Sequence, residues 1–322
     1  MEKLNEKEIV KIASMYYEEG LTQAEIARQR GVSRSLISKI LLDAKNEGIV
    51  EIIIKSENAY TASLERKLEK QFNLKNAVVI DTFNLKHEEI KKIVSQQAAL
   101  YLNKIVQDYR SIGISWGNSL RGLVDYFAYT NHPDATIIPL IGGLSDDYFD
   151  IQSNQLSYDL ARKMRGKAKY LYAPALVSNH LLHEELSNNR AIQSVLEEGR
   201  FVELALVGIS SLDQETNMRR IGYLSVDDVV ELTEKEVVGV INSRFFDANG
   251  LEVEADINQN VLGLSLKDLT RIPMVMTVVY GDRKAEAVKA ALENQLINVI
   301  VTTDTLAEKI IKSVEEVEKE SK

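Results

Sequence analysis

Apolar positions recur at helical spacing from the start of the chain. Ile9, Ile12, Ala13, Tyr16 and Tyr17 predict a helix over 6–19, which Gly20 stops. The next stretch, 22–48, resolves into two helices joined by a tight turn. Thr22 and Glu25 form a capping box, and Ala24, Ile26 and Ala27 supply a short apolar face. Gly31 is free to take a left-handed turn conformation, and Ser33 caps the second helix of the pair. At about 100° per residue, Leu36, Ile37, Ile40, Leu41 and Ala44 share one face of that helix, and Arg34, Ser35, Ser38, Lys39 and Lys45 share the other. Leu42 falls on the polar side and breaks the pattern.

Beyond this pair the period changes. Residues 49–55 are a β-branched run of strand type, either a wing on the helical head or a joint to the next domain. Leu64, Leu68 and Phe72 predict a short helix over 61–72, a connector or a helix that packs on a second subunit. From residue 74, short apolar runs at 77–80, 111–115, 136–140, 170–173, 204–209, 237–241, 274–279 and 299–302 read as strands. Helical stretches at 88–107, 119–129, 153–165, 283–294 and 305–318 lie between many of them. The alternation predicts an α/β domain, a doubly wound, mostly parallel sheet covered on both faces.

Charge changes the picture at one place. The 322-residue chain has a formal net charge of −9, yet residues 21–45 hold five cations against two anions. A row of hydroxyls and cations on one helix face suits base edges and phosphates in a major groove. Thr22, Gln23, Ser33, Arg34, Ser35, Ser38, Lys39 and Lys45 are therefore candidate DNA contacts, with operator DNA as partner. The plainer alternative is a helical hairpin with a solvated face. The expected division is a DNA-binding domain over 1–56, winged or sigma-like, and a larger domain over 57–322. DNA readers of this kind usually act as dimers on paired half-sites.

Composition excludes some classes. No apolar run reaches the roughly 18 residues that a membrane span needs, and the first ten residues hold no apolar signal region. Cysteine is absent, so the chain has no disulfide or thiolate chemistry, and a reducing cytoplasm is the expected location.

Several strand ends carry ligand-type residues. In the loop 113–119, Trp116, Gly117, Asn118 and Ser119 join a strand to a helix. Gly142 and Gly143 follow the third strand, and Gly208 to Ser211 end the fifth. Gly281 to Lys284 open a late helix, and a cation such as Lys284 in a first turn opposes the helix dipole unless an anion lies between. Phosphate fits that place. Each loop alone reads as a tight turn, whereas four converging loops point to a ligand site. The stretch 245–250 is either a hairpin tip under two core phenylalanines or a site where Asp247 accepts hydroxyls of a polyol.

Two patterns mislead. Residues 113–117 match a G-x-S-x-G nucleophile elbow with Ser115 as nucleophile, but the last of the four histidines is His183, so no late histidine completes a triad. His180, His183, Glu184 and Glu185 lack the spacing of a zinc motif, and a solvated helix surface is expected there, with no metal and no cofactor.

The ordered set of segments resembles the SorC family of bacterial sugar-binding transcriptional regulators over nearly the full length. The segments are YYEEGLTQAEIARQRGVSRSLISKILLDAKNEGIV, IGISWGNSL, the Gly142-Gly143 loop, LALVGIS, GYLS, FFDANG, GLSLKDL, IPMVMTVVYGDRKAEAVKAAL and INVIVTT. The resemblance implies a helix-turn-helix head on a domain like the sugar-phosphate isomerase and deaminase fold, usually a tetramer, with a phosphorylated sugar effector. It implies a reading helix over 33–45 and an effector pocket with Trp116, Gly117, Asn118, Gly142, Gly143, Asp247 and Lys284. Where the family's late loop usually reads Ala-Gly-Gly, this chain has Val279-Tyr280-Gly281. Ile141 before Gly142 leaves no lysine there to form an imine. The alternative is a sugar-phosphate isomerase or deaminase, for which Asp247 is the candidate base.

Overall fold

A computed structural model describes residues 6–50, 56, 58–144, 146–212 and 222–320. The chain divides into two compact units, Met1–Ala59 and Tyr60–Lys322.

The first unit holds α1 (Glu6–Tyr17), α2 (Gln23–Arg30) and α3 (Arg34–Asn46). Thr22 caps α2 reciprocally: its hydroxyl accepts from the Glu25 N–H at 3.3 Å, and the Glu25 carboxylate accepts from the Thr22 N–H at 2.8 Å. Gly31 turns the chain at φ 67, where a side chain would be strained. The Ser33 hydroxyl accepts from the Leu36 N–H at 3.2 Å and starts α3. Ile12, Ala13, Ile26, Ile37, Ile40 and Leu41 close a small core.

Two details differ from the sequence pattern. Ala24 is exposed, so the apolar face of α2 narrows to Ile26 and Ala27. The Val50 N–H donates to the Ala44 carbonyl at 3.0 Å, and its side chain packs on the head core, which ends α3. The rest of the expected strand, residues 51–55, lies outside the described residues.

All but the first residue of α4 (Ala59–Phe72) belongs to the second unit, which continues with β1 (Asn76–Ile80), α5 (His87–Ile105), β2 (Ser111–Ile114), α6 (Asn118–Tyr126), β3 (Thr136–Pro139), α7 (Ser153–Met164) and β4 (Lys167–Ala168). Then come α8 (His180–Ser187), α9 (Arg190–Arg200), β5 (Leu204–Val207), β6 (Ile209–Ser210), a helix Val226–Glu234, β7 (Gly239–Ile241) and β8 (Arg244–Phe246). Two one-turn helices lead to β9 (Met274–Val278), the helix Ala285–Glu293, β10 (Val299–Thr303) and the helix Asp304–Glu320.

Seven strands form one parallel sheet in the order β1-β10-β9-β5-β2-β3-β4. Period-two alternation assigns each strand residue to one of two layers. Leu204 and Leu206 of β5 join Val94, Leu120 and Leu156 from α5, α6 and α7. Ala205 and Val207 join Leu68, Leu196 and Val288 from α4, α9 and the helix after β9. Both faces are covered, which is why these strands are apolar almost throughout. The chain steps outward from β2 to β3 and β4, then returns to the other side of β2 with β5 and steps out through β9 and β10. The order reverses between β2 and β5, the place where such sheets bind ligands.

The strands β6, β7 and β8 form a separate antiparallel sheet. The run 204–209 therefore splits, with β5 in the large sheet and β6 leaving it. The run expected as a strand at 237–241 belongs to the small sheet, as β7. Residues 170–173 form no strand; the Ala173 carbonyl instead accepts from the Gly143 N–H at 2.8 Å. Among the described residues no helix is long and apolar enough to cross a membrane.

Candidate functional site

A cavity of about 1000 Å³ lies at the carboxyl ends of β1, β10, β9, β5 and β2, on the reversal of strand order. Its first wall is the loop after β2. Trp116, Gly117, Asn118 and Ser119 all line it. Gly117, at φ 127, is the N-cap of α6 and supplies no side-chain cap, and the positive end of that helix forms part of the cavity wall.

The opposite wall is the turn after β9. Gly281 and Lys284 line the cavity together with Tyr280. The Gly281 backbone sits at φ 99, and the Lys284 ammonium lies 5.5 Å from the centre of the Tyr280 ring. Burial, and then the charge of Glu88, push the Tyr280 hydroxyl above its ordinary pKa, so it stays protonated and can donate.

A third wall comes from the β7–β8 hairpin, which the sequence pattern did not place at the site. Asn242 and Ser243 are the two loop residues of the β7–β8 hairpin, at φ 52 and 59, the mirror-image turn that twisted hairpins favour. Their tip reaches into the cavity. The Asn242 carboxamide donates to the carbonyls of Leu140 and Leu264 at 3.2 and 3.0 Å and accepts from the Ser115 hydroxyl at 2.8 Å. The signal was present as GVI-NS-RFF, a two-residue turn between apolar runs. His87, from the start of α5, and Thr303, at the end of β10, also line the cavity and carried no signal in the sequence.

Three expected pocket residues do not line this cavity. Gly142 donates its N–H to the Leu262 carbonyl at 2.9 Å, and a Cβ there would strike the Pro174 carbonyl oxygen. Its neighbour Gly143 is bridged to Pro174. Gly142 serves close backbone approach, whereas a Cβ on Gly143 would meet the Gln152 side chain. Asp247 forms an Asx turn: its Oδ1 accepts from the N–H groups of Asn249 and Leu251, both at 2.9 Å. The hairpin reading of 245–250 is the one its geometry follows, and Phe245 and Phe246 are buried.

The elbow-like Ser115 is 1% exposed and its hydroxyl is turned to an amide, not to an imidazole. His183 Nε2 lies 3.1 Å from the Val261 carbonyl oxygen, and His180 pairs with Glu184 at 3.4 Å. Among the described residues no group of three or more acidic or histidine side chains could hold a metal.

In the head, Ser33, Arg34, Ser35, Ser38, Lys39 and Lys45 are exposed along α3. Thr22 and Gln23 sit at the start of α2, where the Thr22 hydroxyl is engaged in capping. The Lys45 ammonium lies 5.7 Å from the centre of the Tyr17 ring. Arg30, one of the five cations of the basic stretch, is tied to Glu8 at 3.1 Å.

Known proteins match both units. A family described as a sugar-binding domain matches residues 56–312, and sigma-70 region 4 matches residues 1–45. The sorbitol operon regulator of Klebsiella pneumoniae is 30% identical over 94% of this chain and 97% of its own length. The chain belongs to the SorC family of sugar-binding transcriptional regulators. The crystal structure of full-length SorC from K. pneumoniae superposes with a TM-score of 0.73 over 96% of this chain and all of that one. A DeoR family transcriptional regulator from Listeria monocytogenes is 46% identical, with a TM-score of 0.74 over 78% of this chain and 99% of that one. The deoxyribonucleoside regulator of Bacillus subtilis is 26% identical over 94% of this chain and 96% of its own. As a SorC-family member the chain is a sugar-responsive, DNA-binding transcriptional regulator. These relatives are all named as regulators.

Proposed function

We propose that a phosphorylated sugar binds in the cavity at the strand-order reversal and that α3 reads operator DNA. The phosphate meets the N-terminus of α6 at Gly117, Asn118 and Ser119 on one side and Gly281 and Lys284 on the other. The observation that carries this reading is that the N-terminus of α6, which has no side-chain cap, and a lysine ammonium line one cavity. Both favour an anion. Trp116 and the polar groups of the hairpin tip offer the sugar an apolar face and polar partners.

Ser33, Arg34, Ser35, Ser38, Lys39 and Lys45 face the duplex, with Thr22 and Gln23 beside them, in a head over 1–56. The chain works in the cytoplasm as a homo-oligomer, a dimer or tetramer, on paired half-sites. The effector biases one arrangement of subunits and so the spacing of the heads; it can do so only by binding that arrangement more tightly. The ligand is bound without turnover: the alternative isomerase or deaminase needs a base at the sugar, and Asp247 is held in its own turn.

A thermal-shift screen of sugar phosphates tests the reading. A true effector at about 100 times its Kd adds roughly 2.7 kcal/mol to the fold. Lys284→Ala is expected to weaken that ligand at least tenfold, and the ligand is expected back unchanged after long incubation with the wild-type chain. Binding that ignores Lys284→Ala removes this cavity from the proposal.

A further inference from the structure

Tyr280 takes no part in the phosphate contacts proposed for the cavity, yet its ring lines that cavity while its other side packs on the apolar layer under α5 and α6. The turn after it is closed by the Lys284 N–H, which donates to the Gly281 carbonyl at 3.1 Å. That turn carries the chain back, so residue 284 meets residue 280 and the ammonium comes to 5.5 Å from the ring centre. His87, from the first turn of α5, also stands by the ring, with centroids 6.2 Å apart and planes at 59°. The ring thus has a fixed position between the β9 turn and α5.

A lysine ammonium ends a flexible four-carbon stem, and immobilising it on binding costs affinity. A fixed π face removes part of that cost in advance, because the ring quadrupole attracts the cation before any ligand arrives. The two residues are coupled by geometry.

We propose that Tyr280 is a positioning residue of this site: its ring holds the Lys284 ammonium at the cavity wall, ready for the phosphate of a phosphorylated sugar. The inference rests on the proposed function of the cavity. The hydroxyl is dispensable for this role and the aromatic face is not.

The test uses the full chain and its only tryptophan, Trp116, which lines the same cavity and reports occupancy by fluorescence. The probes are inorganic phosphate and a panel of pentose and hexose phosphates. Tyr280→Phe is expected to bind within about twofold of wild type. Tyr280→Leu, which keeps the apolar packing and lacks the π face, is expected to bind about fivefold to tenfold more weakly. In a Lys284→Ala background the leucine change is expected to have no further effect, because the coupled partner is gone. Tyr280→Met carries the test if the leucine variant does not fold.

Equal loss in the phenylalanine and leucine variants overturns the inference, as does a loss that adds fully to that of Lys284→Ala. Probes that wild type does not bind, or binds equally without Lys284, overturn the reading of the cavity itself. The two failures are therefore distinguishable.

Discussion

The Trp116 indole N–H donates to the hydroxyl of Ser243 at 2.9 Å and ties the loop after β2 to the tip of the β7–β8 hairpin. The residues lie 127 positions apart, and both are buried. Beside them the Ser115 hydroxyl donates to Asn242 at 2.8 Å. Together these bonds hold two walls of the cavity in register. Ser243 stands in the left-handed region, where a residue with a Cβ is held at a cost that its contacts must offset.

Ser243→Ala leaves the indole N–H without its partner in a buried place. The expected cost is about 1–3 kcal/mol of stability. Urea unfolding followed by tryptophan fluorescence measures it, and the native emission of Trp116 is expected to shift as well. A variant as stable as wild type means the bond contributes nothing.

Arg34 stands exposed at the first position of α3. Arg34→Ala is expected to weaken binding to the chain's own promoter fragment and to lower the slope of log affinity against log salt by about one. Anisotropy titrations across a salt series give that slope. Sugar-phosphate affinity, measured on the same preparation, is expected not to change.

Asp247 holds its turn by two N–H bonds at 2.9 Å. Asp247→Ala is expected to lower stability by about 1–2 kcal/mol through those lost acceptors. Effector affinity is expected to stay within about twofold. The reverse pattern, full stability with lost affinity, returns Asp247 to the ligand site.

Burial pushes the His183 imidazole below its ordinary pKa, and the nearby Arg244 and His180 act in the same direction against the Val261 carbonyl. The folded protein therefore holds it neutral while the unfolded chain accepts a proton near the ordinary value of about 6.5. Its contribution to stability is whole above that pH and is lost as pH falls below it. Denaturation midpoints from pH 7.5 down to 5.5 are expected to drop, and His183→Gln is expected to flatten part of that drop.

Much of the fold was legible because parallel strands covered on both faces must be apolar throughout, and their helices must be amphipathic. The helix-turn-helix was equally legible: the Thr22–Glu25 box, Gly31 and Ser33 act within four residues of themselves. The loops around Trp116 and Lys284 could be read for the same reason, since glycine and a helix start leave local marks. Residues 170–173 misled because an apolar run records burial and not pairing; here the backbone of Ala173 is used by Gly143.

By itself, then, the sequence determined what depends on near neighbours: caps, turns, periodicity, and the basic face on an acidic chain. The tertiary structure alone decided which distant loops share a cavity. It brought Asn242 and Ser243 to Ser115 and Trp116, set His87 beside Tyr280, and left Gly142, Gly143 and Asp247 outside. The physical reason is that strand order and hairpin twist set these distances, and both arise from packing between segments more than a hundred residues apart.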